Sequence, residues 1–152
     1  MKRRDAIQMT PQERDEFLRD SRTIVLSSID RCGYPHAVAM WYVMDNGCAL
    51  MTTYAKSQKA LNIQRTPKVA LMAESGTTYD TLKGVLIRGR AELIDDVDAC
   101  VRTLSRIHQK MMGAMPEGIE EALQQQARKR VLIKVIPEHV SSWDHSKLGG
   151  TY

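Results

Sequence analysis

Leu50-Met51-Thr52-Thr53-Tyr54-Ala55-Lys56-Ser57-Gln58-Lys59-Ala60-Leu61-Asn62-Ile63-Gln64 changes character halfway along. Leu50 to Tyr54 are strand-forming types that follow a turn at Gly47. Ser57 is suited to cap a helix, and Ala60, Leu61 and Gln64 follow it at helical spacing. A strand therefore runs into the start of a helix. The hydroxyls of Thr52, Thr53 and Ser57 and the ammonium groups of Lys56 and Lys59 converge there. The first amides of a helix have no internal acceptor, and the helix dipole makes that end partly positive. With two lysines added, the junction is a place for a phosphate, and its expected role is to anchor a phosphorylated cofactor.

Upstream, Thr10-Pro11-Gln12-Glu13 spells a capping box with proline in the first helical turn, and that helix ends near Asp20. Thr23–Ile29 is a β-rich run, turned by Asp30-Arg31-Cys32-Gly33. A second strand runs from about His36 to Met44, and Asp45-Asn46-Gly47 turns it into the strand that delivers the anchor. Downstream, Thr66-Pro67 closes the helix and Lys68–Ala73 is a fourth strand. Glu74 to Asp80 is a polar loop. Val85, Ile87, Gly89, Ala91 and Leu93 then alternate with Arg88, Arg90 and Glu92, as in a half-buried strand, and Gly84 and Gly89 suggest a bulge or bend. A helix over 95–112 stops at Gly113, and a second begins at Pro116 and ends in Arg128-Lys129-Arg130. Val131–Ile136 is the sixth strand, and the tail from Val140 has no clear period. The expected fold is mainly β with helices (α+β), a six-stranded antiparallel barrel in one domain over 1–152.

With 43% hydrophobic and 26% charged residues, the 152-residue chain has the balance of a soluble globular domain. A net charge of +4 suits an anionic small ligand, and no basic stripe interleaved with aromatics points to nucleic acid. Cys32, Cys48 and Cys100 are too few and too scattered for a disulfide framework or a zinc cluster, so reduced, buried thiols in a cytoplasmic protein are expected. The longest apolar run, Ala37 to Met44, is too short to span a bilayer. His36, His108, His139 and His145 show no metal-ligating spacing.

The order of these features resembles the pyridoxamine 5′-phosphate oxidase-like FMN-binding split barrel. It is carried by the Thr23–Ile29 strand, the Gly33-Tyr34-Pro35 turn, Trp41-Tyr42, Thr52-Thr53, Ser57-Gln58-Lys59, Asn62, Pro67 and Gly84…Gly89-Arg90-Ala91-Glu92. The tail from Ser142 to Tyr152 resembles the branch of that superfamily that includes deazaflavin (coenzyme F-420)-dependent reductases. The resemblance implies a homodimer with two cofactor sites at the subunit interface. It implies a phosphate on Thr53, Lys56, Ser57 and Lys59, and a ring along Met40, Trp41 and Tyr42, with Trp143 and Lys147 placed to close the site and His145 of the same tail the candidate proton donor. The His36–Met44 strand lacks the Arg and Lys that true pyridoxamine phosphate oxidases carry there, so vitamin B6 oxidation is not implied. The function expected is a flavin- or deazaflavin-dependent oxidoreductase that passes hydride to a small unsaturated or quinone-like molecule. The cofactor is coenzyme F-420 or FMN, and the alternatives are an FMN-dependent oxidoreductase or a non-enzymatic carrier of FMN, F-420 or heme.

Overall fold

The computed structural model describes residues 2–150, so Met1, Thr151 and Tyr152, the last two belonging to the tail stretch quoted above, lie outside the described residues. A short helix, α1 (Arg3–Ala6), precedes α2 (Pro11–Asp20). The capping box forms: Thr10 Oγ1 accepts from the Glu13 amide at 3.2 Å, and the Glu13 carboxylate accepts from the Thr10 amide at 2.7 Å. Strands β1 (Thr23–Ile29), β2 (Pro35–Trp41), β3 (Val43–Asp45) and β4 (Cys48–Tyr54) follow. Then come α3 (Gln58–Arg65), β5 (Lys68–Ser75), β6 (Lys83–Ile94), α4 (Val97–Met112), α5 (Ile119–Ala127) and β7 (Arg130–Asp144).

The described residues form seven strands rather than the six expected, because the single strand expected over His36–Met44 is broken at Tyr42. Along β2 the side chains alternate, but Tyr42 and Val43 are both buried, which a continuous pleat with one wet face forbids. The Tyr42 hydroxyl donates to the Leu18 carbonyl at the end of α2. The Lys110 ammonium lies 3.9 Å from the ring centroid and donates to the Tyr42 carbonyl at 3.2 Å. Burial pushes the phenol pKa up to about 12. At this break the chain leaves its pairing with β1 and takes up pairing with β4.

All pairings are antiparallel, and the order is β2-β1-β5-β6-β7-β4-β3. The two ends of this sheet, β2 and β3, are consecutive in the chain. The sheet therefore curls back on itself as a split barrel, with an unpaired gap between β2 and β4. The barrel interior holds Ile24, Leu26, Met51, Leu71, Ile87 and Ile133. A second apolar layer seats Leu104, Ile107 and Met111 of α4 and Leu123 of α5 on Leu50 and Leu132. Strand β4 is covered on both faces, so Ala49 to Thr53 are buried without alternation.

The sixth strand of the sequence reading does not end at Ile136. A bulge lets it pass Pro137: Arg88 pairs with His139 and Gly89 with Pro137, leaving Glu138 as the extra residue. A Cβ on Gly89 would stand 2.2 Å from the Ile136 carbonyl oxygen, so only glycine fits. Gly84 is bare for another reason, since its absent Cβ makes room for the Trp143 ring. The second helix also differs from expectation. It starts after Gly118, not at Pro116, and it ends at Ala127, so Arg130 belongs to β7. The strand ends at buried Asp144, which accepts from Lys83 Nζ at 3.0 Å and Ser146 Oγ at 2.6 Å. Burial raises this carboxyl, but those hydrogen bonds outweigh it and hold it below the usual range. Of the thiols expected to be buried, only Cys100 is; Cys48 is half-buried and Cys32 is exposed at its turn. No helix among the described residues is long and apolar enough to cross a membrane.

Gly89→Ala is expected to lower the unfolding free energy by about 1–3 kcal/mol, because the added methyl meets main chain that cannot rotate away. Urea denaturation measures this, and a loss below about 0.5 kcal/mol would mean that the bulge shifts freely.

Candidate functional site

The stretch expected to anchor a phosphate lies where β4 hands over to α3. Ser57 is extended at φ −68°, ψ 157°, and its Oγ accepts from the Ala60 amide at 3.3 Å, capping the helix. Thr53 Oγ1 lies 3.0 Å from Ser57 Oγ and accepts from Lys59 Nζ at 3.1 Å. Two hydroxyls and an ammonium thus sit together above the first turn of α3, whose Gln58 and Lys59 amides lack an intrahelical acceptor by position. The helix is locked to the sheet beneath it: buried Asn62 donates to Ser28 Oγ at 3.1 Å and accepts from Gln58 Nε2 at 2.7 Å. Arg65 donates to the Ile29 carbonyl at 2.9 Å. Lys56 is exposed in the turn before Ser57, at the rim of this group.

One residue of the candidate site was hidden from sequence reasoning. Arg130, assigned there to a helix end, opens β7 and pairs with Tyr54 across the ladder. Its guanidinium carbon stands 4.5 Å from the Tyr54 ring centroid, and Nη1 donates to Thr52 Oγ1 at 3.3 Å. Its Nε is enclosed by protein and has no hydrogen-bond partner among the described residues. Nothing local in Arg128-Lys129-Arg130 marks the third residue as special, since the distinction comes from a strand pairing across more than seventy positions. Burial depresses the pKa of Lys59, and the positive charge of Arg130 depresses it further. None of the ion pairs among the described residues involves Lys59 or Arg130, so this positive field is not neutralised by a carboxylate.

Arg130 also reaches a cleft of about 470 Å³ in the gap between β2 and β4. Met40 and Trp41 form one wall, and Leu104, Ile107 and His108 of α4 form the other. Thr52, Gln126 and Arg130 make its polar end. Thr53, Ser57 and Lys59 do not line this cleft; Thr52 and Arg130 connect it to them. A larger hollow of about 570 Å³ lies on the outer face of the sheet beside Lys68, Arg88 and His139, and it contains no anchor residue.

The structure gathers Met40, Trp41, Thr52, Thr53, Ser57 and Lys59 into one region. It places Tyr42 fully in the core, where its side chain supports the barrel and cannot lie against a ring. Trp143 packs on Gly84 at the far end of β7 from Arg130. Lys147 is spent on the N-terminal segment, donating to the Gln8 carbonyl at 2.9 Å and to Glu13 at 2.6 Å. His145, the expected proton donor, stacks edge-on against Tyr79 at 4.5 Å, beyond that same far end.

The family model described as pyridoxamine 5′-phosphate oxidase matches residues 10–144. No curated protein matches the sequence. Among solved structures, a conserved hypothetical protein from Mycobacterium tuberculosis is 37% identical with a TM-score of 0.92, covering 100% of this chain and 95% of its own. An F420 reductase is 23% identical (TM-score 0.68; 84% of this chain, 94% of its own). The heme storage protein HutZ from Vibrio cholerae is 16% identical (TM-score 0.69; 90% of this chain, 97% of its own). The last two are about equally similar in shape and differ in what their names say they do, so their likeness bears on the fold alone.

Binding of inorganic phosphate, followed by calorimetry between pH 7.5 and pH 10.5, is expected to weaken as Lys59 loses its proton, at a pH below the ordinary lysine value of about 10.4. Arg130→Ala is expected to move that midpoint upward, because removing a neighbouring like charge favours the ammonium form. An unmoved midpoint would separate the two cations.

Proposed function

The chain belongs to the pyridoxamine 5′-phosphate oxidase family, and from that premise we propose that it is a flavin- or deazaflavin-dependent oxidoreductase. Its cofactor is coenzyme F-420 or FMN, and its substrate is a small unsaturated or quinone-like molecule. The observation that carries this is the cation pair of Lys59 and Arg130, unneutralised beside the Thr53 and Ser57 hydroxyls at a helix start. The donor set fits a phosphate: an ammonium, a guanidinium, two hydroxyls and first-turn amides, with no carboxylate paired to either cation among the described residues. Neither β2 nor β3 carries Arg or Lys, so the positive charge has to come from α3 and from Arg130.

When bound, the ring supplies hydride transfer. This chain's own residues hold and shelter it. Thr53, Ser57 and Lys59 grip the phosphate, and Lys56 adds long-range charge at the rim. Met40 and Trp41 offer an apolar edge where a flat ring excludes water.

The second element of the proposal is a homodimer. Trp41, 44% exposed on β2 beside the cleft, is a large apolar side chain that a second copy would bury. Within one protomer Trp143 and Lys147 are remote from the anchor, so any contact they make with a cofactor requires a second copy.

Equilibrium titration with F-420 and with FMN tests the cofactor. Lys59→Ala is expected to weaken the preferred cofactor about tenfold to a hundredfold, as for loss of a charge-assisted hydrogen bond. Lys56→Ala is expected to cost no more than about fivefold. Equal affinity of wild type and Lys59→Ala for both cofactors would remove the anchor. Binding without reoxidation of the reduced cofactor by any quinone-like acceptor would leave a carrier instead of an enzyme. Sedimentation equilibrium is expected to give twice the chain mass, and Trp41→Asp to give the single-chain mass; a monomeric wild type would refute the dimer.

A further inference from the structure

A molecule that accepts hydride also needs a proton, and the cleft between β2 and α4 offers few groups that can carry one. Met40 and Trp41 face Leu104, Ile107 and His108 across it. Of the residues that line it, only His108 and Arg130 have ionisable side chains. An arginine keeps its proton in a protein, whereas an imidazole exchanges one near neutral pH. No carboxylate, phenol or thiol is among the lining groups. Tyr42 follows Trp41 in the chain, but its hydroxyl is spent on the Leu18 carbonyl. The other histidines are placed elsewhere. His145 packs on Tyr79 beyond the far end of β7, and His139 lines the outer hollow. His36 does not line the cleft, and its Nδ1 is enclosed by protein.

His108 is half-buried and makes no hydrogen bond or ion pair among the described residues. Its charged neighbours on α4 are committed, Arg106 to Asp45 and Lys110 to the Tyr42 carbonyl. Strand β4 and α5 bring Thr52 and Gln126 to the cleft, and β2 brings no ionisable group, so the charge facing His108 there is Arg130 of β7.

We propose that His108 is the catalytic acid of this site, donating its proton to a carbonyl oxygen of a conjugated acceptor held in the cleft. The assignment rests on the oxidoreductase reading above and supplies the donor that the tail histidine cannot be within one protomer. Hydride from the reduced cofactor enters one end of the conjugated system, so the cofactor is oxidised and the acceptor reduced. Negative charge then gathers on the carbonyl oxygen at the other end. The imidazolium N–H bond breaks and an O–H bond forms there. The neutral imidazole recovers a proton from water, which its half-exposed position allows.

Two measurements test this, with menadione as the acceptor. In the first, oxidised cofactor is bound to wild type so that no turnover occurs, and the histidine side-chain resonances are followed as menadione is added. The His108 resonance is expected to shift, and one that stays still would overturn the assignment whatever any variant does. In the second, reoxidation of the bound, reduced cofactor is timed without oxygen from about pH 5.5 to about pH 8.5. The wild-type rate is expected to fall as pH rises and the imidazolium is lost. His108→Gln is expected to be slower by roughly tenfold or more at the acid end, and flat with pH. It is expected to bind the cofactor within about twofold of wild type, since His108 is no part of the phosphate anchor. Far-UV circular dichroism checks that the variant is folded. An unchanged profile in His108→Gln, or loss of the slope in His145→Gln instead, would overturn the role of His108 and leave the oxidoreductase reading standing. Wild type that binds neither cofactor, or binds without reoxidation, would overturn both.

Discussion

The architecture turns on Tyr42 being driven inward. A strand that continued smoothly from Pro35 to Asp45 would have stayed an edge beside β1. Burying the Tyr42 ring, satisfying its hydroxyl on Leu18 and covering its face with Lys110 forces a break. Past the break, Val43–Asp45 pairs with β4 on the far side of the sheet. Both ends of the sheet are thereby tied together through one residue. The gap between β2 and β4 that results is where the cleft lies. A fully buried side chain is thus responsible for the opening of the cleft.

Strand β4 turns two neighbouring hydroxyls to different partners. Adjacent residues of a strand face opposite ways, so the Thr53 hydroxyl meets Ser57 and Lys59 at the start of α3, while Thr52 meets Arg130 on the side covered by α4 and α5. The two cations, on opposite sides of the strand, are still close enough for Arg130 to depress the Lys59 pKa.

The fold does not choose the chemistry. An F420 reductase and a heme storage protein share this barrel at nearly equal likeness, so shape alone does not separate what their names say they do. Here the strand bordering the cleft carries Met40 and Trp41 and no cation, and positive charge reaches the gap from a strand distant in sequence.

Local chemistry was written into the sequence. The Thr10 capping box, the αL stop at Gly113, the Ser57 cap beside Thr53 and Lys59, and the strict alternation through Val85, Ile87 and Ala91 all depend on neighbours within a few positions. Tertiary packing decided what alternation could not carry. The pleat is cut at Tyr42 because a core partner and a cation are waiting there, and β7 runs on past Pro137 because Gly89 opposite has no side chain. Arg130 is set apart from its two basic neighbours only by pairing with Tyr54. Each of these outcomes is fixed by a contact between residues far apart in the chain, and a period of two or of 3.6 has no term for such a contact.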